Sequence, residues 1–99
     1  MGIFRRLHEL DQISLKTSMY AGWFIRSLPT TRSLPKVSPD GDGGLQMAWD
    51  VEGSGRTLIT INDEMLYGVI SAGTRSASYL DERQFMGVVE EDFLAAIPA

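Results

Sequence analysis

Ninety-nine residues with 43% apolar side chains, two Trp, three Tyr and four Phe suffice for one folded domain and leave no room for a second. The absence of cysteine excludes disulfides, thiolate metal sites and thiol nucleophiles, and fits a reducing cytoplasm. The net charge of −4 is unevenly laid out: residues 1–36 carry six basic groups against two acids, and residues 37–99 carry three against eleven.

In chain order, residues 1–28 read as helical, in two pieces. Ile3, Phe4, Leu7 and Leu10 form an apolar stripe at helical spacing, on a segment that also holds Arg5, Arg6 and His8. Ser14 is the expected N-cap of the second piece, in which Thr17, Ala21, Phe24, Ile25 and Leu28 share one face. Pro29 ends it, because proline lacks the backbone donor and disfavours helical geometry in the residue before it. Residues 29–44 read as a connector, held extended by Pro29, Pro35 and Pro39 and closed by the turn chemistry of Asp40-Gly-Asp-Gly-Gly44.

An antiparallel sheet is expected over residues 45–80. Leu45, Met47, Trp49 and Val51 alternate with more polar neighbours, the period-two signature of a strand with one buried face. Gly53-Ser-Gly55 makes a hairpin turn, and Thr57, Ile59 and Ile61 supply the inward face of the next strand. Asn62-Asp63 turns into Met65–Ser71, and Ser76–Leu80 reads as a fourth, edge strand. Residues 81–97 complete the chain: a polar Asp81-Glu-Arg, an apolar Phe85–Val89 that packs back on the core, and a short helix from Glu90 to Ile97 before Pro98. The fold class is therefore α+β, with N-terminal helices packed on a three- to four-stranded antiparallel meander and a short C-terminal helix.

The run Leu34-Pro-Lys-Val-Ser-Pro-Asp-Gly-Asp-Gly-Gly-Leu-Gln-Met-Ala-Trp49, followed by Gly55-Arg-Thr-Leu-Ile-Thr-Ile61 and Leu66-Tyr67, resembles a group of small bacterial proteins with no established activity. Those share a helix ending in Leu-Pro, a Pro-x-Val segment, an Asp-Gly turn, a strand ending in Trp, a three-stranded meander and a C-terminal helix. The likeness covers about residues 14–97 and implies the same architecture. The chain departs from the group in its basic N-terminal stretch, and in Ser76-Ala77 where many members have His-Gly.

Signals for chemistry are weak. Counted from Asp40, an EF-hand would need a ligand at Gly44, glycine at Leu45 and a bidentate acid at Val51, and all three fail. His8 is the sole histidine, without the partners that a general base or a metal site requires. No phosphate loop or nucleophile elbow is present. The chain reads as non-enzymatic, with no cofactor and no metal.

The N-terminus carries charge where a signal peptide needs an apolar stretch, and Met65–Thr74 is too short and glycine-rich to span a bilayer. The expectation is a soluble cytoplasmic protein with no membrane partner. Another protein is the expected partner, with homodimerisation through a sheet edge as one possibility. Tyr20, Trp23 and Tyr79 are the candidate anchors, with Glu90, Glu91 and Asp92 as an acidic contact surface, and Trp49, Tyr67 and Phe24 assigned to the core. The function that fits is a small acidic regulator or inhibitor of a larger partner, antitoxin-like or akin to phage anti-defence (anti-CRISPR-like) proteins. The alternative is nucleic-acid binding through Arg5, Arg6, Arg26 and Arg32, against which the overall pI near 4.8 weighs.

Overall fold

The computed structural model describes residues 12–51, 53 and 55–98. Helix α1 spans Leu15–Arg26. Strands β1 (Lys36–Pro39), β2 (Leu45–Val51), β3 (Gly55–Asn62), β4 (Met65–Ala72) and β5 (Ser78–Gln84) follow, and helix α2 spans Glu91–Ala96. The strands form one five-stranded antiparallel sheet in sequence order, β1-β2-β3-β4-β5. The α+β class holds.

Helix α1 begins where the sequence predicts. The Ser14 side chain accepts the Thr17 N–H at 3.0 Å, and its hydroxyl donates to Asp63 Oδ1 at 2.6 Å. The cap thus satisfies an orphan donor and ties the helix to the β3–β4 turn. Thr17 Oγ1 completes the tie by accepting the Asp63 N–H at 2.8 Å. Thr17, Ala21, Phe24 and Ile25 are buried on the face that meets the sheet.

The core lies between α1, α2 and one face of the sheet, and its sheet floor is Leu45, Met47 and Trp49 of β2, Ile59 and Ile61 of β3, and Leu66 of β4. Phe24 and Phe85 meet edge to face at 5.6 Å above that floor. Two polar ties hold the chain's later parts to it. Trp49 Nε1 donates to the Ser33 carbonyl at 2.8 Å, and Thr57 Oγ1 donates to the Ala96 carbonyl at 2.6 Å.

Four expectations need correction. The connector over 29–44 contains a strand, β1, whose extended Lys36–Pro39 pairs with Ala48–Leu45 at the sheet edge. Proline is tolerated there because an edge residue can leave its missing N–H pointing away from the ladder. The last strand runs Ser78–Gln84 rather than 76–80, so the sheet has five strands, and Asp81-Glu-Arg belongs to it. The β3–β4 turn is Asp63-Glu64 rather than Asn62-Asp63, with Asp63 at φ 51°. Of Phe85–Val89, Phe85 is buried, but Met86 and Val88 are exposed. The helical reading of residues 3–11 lies outside the described residues.

Candidate functional site

Both described helices lie on one face of the sheet, and no described element packs on the other. Strand parity and register decide what that open face presents. Ala48 of β2 pairs with Leu58 of β3, Leu58 with Val69 of β4, and Val69 with Tyr79 of β5. Lys36 of β1 pairs with Ala48, so one row crosses the sheet from edge to edge: Lys36, Ala48, Leu58, Val69, Tyr79. Directly paired residues point to the same side, so four neighbouring apolar or aromatic side chains stand together on the open face. In the next row Tyr67 stands opposite Thr60.

The exposure values fit this arrangement. Tyr79 is 80% exposed and Tyr67 39%, while Leu58 and Val69 are half-buried by their neighbours. On an open antiparallel face polar side chains are the norm, and this crossing apolar row departs from that pattern.

The row is bordered by charge. Asp50 accepts the Arg56 Nε–H at 2.9 Å and lies 3.8 Å from the Lys36 ammonium. These pairs are well exposed and contribute little to stability, yet they fix a rim of both signs beside the apolar row. An open groove of about 530 Å³ runs along this rim, lined by Asp50, Gly55, Arg56, Leu58, Ala72 and Gly73. Its shape comes from a bulge: Arg56 pairs with Ala72 but Leu58 with Val69, leaving one extra residue in β4. Ser71 absorbs it at φ 57°. Gly55, at φ 79°, closes the groove's end, because a Cβ there would come within 2.6 Å of the Ala72 carbonyl oxygen.

The predicted anchors do not converge. Tyr79 is on the open face, but Trp23 lies on the outside of α1, 41% exposed, with Phe85 at 5.0 Å and Tyr20 at 5.7 Å. Tyr20 is a correction: it is half-buried and packs against the core rather than standing free. Tyr67 is the converse, expected inside with Trp49 and Phe24, and found on the open face while those two are buried. Reading along β4 alone cannot choose between Leu66 and Tyr67; pairing with Ile61 turns Leu66 inward.

The acids at 90–92 border the helical side of the molecule. Glu90 and Asp92 both accept from Arg83 Nη1, whose guanidinium also stacks over Phe93 at 4.8 Å. The Glu90 hydrogen bond, then the negative field of Asp92, hold Arg83 above its ordinary range. Glu91, between them in the first turn of α2, is exposed. Of the basic residues proposed for nucleic acid, Arg26 is exposed in the last turn of α1 and Arg32 is half-buried in the loop beyond it. Arg5 and Arg6 lie outside the described residues.

Sequence reasoning missed Ala48, Leu58 and Val69. Their signal was an apolar residue at the outward phase of an alternating strand, and Leu58 between Thr57 and Ile59 is the clearest case. Among the described residues no group of three His, Cys, Asp or Glu is arranged to hold a metal ion, and no helix is long and apolar enough to cross a membrane. What the arrangement can do chemically is bind, through apolar contact and a two-signed rim. Comparison with protein-family models, curated proteins and solved structures returned no significant match.

Proposed function

We propose that this chain is a protein-binding module, a small acidic regulator or inhibitor that docks a larger partner on the open face of its sheet. The row Ala48–Leu58–Val69–Tyr79 carries the reading. It stands on a rigid five-stranded scaffold, so little order has to be gained when it binds. Tyr79 and Tyr67 offer the large, partly exposed rings that commonly anchor interfaces. The Lys36–Asp50–Arg56 rim would orient the partner, and the groove beside it would take one of the partner's side chains. The acidic balance of residues 37–99 favours a partner with a basic surround.

The test is affinity capture from a lysate of the source cells with the native chain and with Tyr79→Asp and Val69→Asp. A stoichiometric protein retained by the native chain, and lost with either substitution, is the expected result. Absence of any stoichiometric partner, or a partner indifferent to both changes, overturns the proposal.

A further inference from the structure

On the helical side of the sheet the fold holds one of its own guanidinium groups. Arg83 of β5 lies over the Phe93 ring, 4.8 Å from its centroid, and donates to the carboxylates of Glu90 and Asp92. A ring and two carboxylates are what a planar, permanently charged cation takes. The electron-rich face of the ring attracts it, and the carboxylates accept its N–H donors.

The open face carries the same set of groups with no cation among them. Leu80 pairs with Gly68 and packs on the core, and Arg83 pairs with Leu66 and reaches Phe93, so both point toward the helices. Alternation counted forward from Leu80 turns Asp81 outward, and counted back from Arg83 it turns Glu82 outward. The β5 bulge therefore sets two exposed carboxylates opposite Tyr67. Tyr79, 80% exposed, is the preceding outward residue of β5, so two rings and two carboxylates meet at this corner. Among the described residues neither carboxylate accepts a hydrogen bond or pairs with a cation. The β1–β3 side of the face differs, since Asp50 there is shared by Arg56 and Lys36. The face is thus polarised, with uncompensated negative charge at its tyrosine corner.

We propose, resting on the open face as the partner-binding surface, that its occupant is a protein segment presenting an arginine flanked by apolar residues. The guanidinium lies on a tyrosine ring and is shared by Asp81 and Glu82, while the flanking side chains cover Val69 and Leu58. Charge selects this occupant: a nucleic-acid phosphate would meet like charge at the same corner. Arginine suits it better than lysine, because its fork reaches two acceptors at once and its plane stacks on a ring.

A random short-peptide library displayed on phage and panned against the full chain tests this without the natural partner. The recovered peptides should share an arginine beside apolar residues. The best of them, synthesised with a fluorophore, should lose at least about tenfold in affinity when its arginine becomes citrulline, and as much against Asp81→Asn with Glu82→Gln. Lysine in place of that arginine should fall between. Both carboxylates are exposed, so the double variant should keep the native urea midpoint; a fallen midpoint would give them a structural role and count against the proposal. Recovery of no binding peptide, of peptides without arginine, or of an arginine peptide indifferent to the double variant overturns it. Val69→Asp separates this from the wider reading. Peptides lost on Val69→Asp but indifferent to the carboxylates leave the open face a docking surface for a different occupant, whereas peptides indifferent to both remove the face as well.

Discussion

Two neighbouring rows of the same sheet have opposite fates. Val37, Met47, Ile59, Gly68 and Leu80 form one row across the five strands, and Lys36, Ala48, Leu58, Val69 and Tyr79 form the next, one residue along each chain. The first row lies under the helices, with Met47 and Ile59 fully buried. The second is roofed by no described element and is nearly as apolar. Stability alone accounts for the first row. The second gains little from being apolar in the free protein, and the partner face proposed above would account for its composition.

The sharpest way to break this contrast is Ile59→Ala against Leu58→Ala. Removing Ile59 leaves a cavity and should cost about 2–5 kcal/mol, read as a fall in the urea midpoint at unchanged slope. The same change at Leu58 should cost well under half as much, and equal losses would mean that the open face is part of the folding core. Next in size is Ser14→Ala, which removes a helix cap and the bond to Asp63 and should cost about 1–2 kcal/mol in the same measurement. Tyr79→Asp should change stability by no more than about 0.5 kcal/mol while abolishing partner capture, so a large fall in its thermal midpoint would return the row to a structural role.

The smallest effect is expected at Lys16. Its ammonium pairs with Glu64, and that hydrogen bond outweighs its partial desolvation and raises its pKa. A raised value stabilises the fold below the ordinary lysine range, and the contribution fades as pH climbs through the raised value. The pair is exposed, so Lys16→Met should separate from the native chain only slightly at neutral pH and not at all in strong alkali. Urea titration at both pH values checks the sign.

Much of this fold was legible in the chain, and the reasons for the gaps are physical. The Ser14 cap and the alternation from Leu45 to Val51 each express a local rule, and each element begins where that rule puts it; α1 ends at Arg26, two residues short of the expected Leu28 before Pro29. β1 has no such signature. Lys36–Pro39 is extended because of its neighbours, and it becomes a strand only by pairing with β2, a contact made across the Asp40–Gly44 loop. Asp40 holds that loop closed by accepting the Asp42 and Gly44 N–H groups at 2.7 and 2.9 Å. The outward turn of Tyr67 and the bulge at Ser71 are likewise decided by register rather than composition. Met86 and Val88 alternate with the buried Phe85 and the half-buried Gly87, and consecutive residues cannot all face the same core. The candidate site was the least readable part. Its residues belong to four strands, and only pairing brings them into line.

The two borders of the sheet carry a consequence of their own. On one side β1 offers four residues and ends at Pro39, which has no N–H to lend. On the other, β5 bends where Leu66 and Gly68 face Arg83 and Leu80, so that Asp81 and Glu82 together stand opposite Tyr67 and one of them is the extra residue. A foreign strand would find a short template at one border and a bent, negatively charged one at the other. Fibrillar growth by endless strand addition is thereby discouraged.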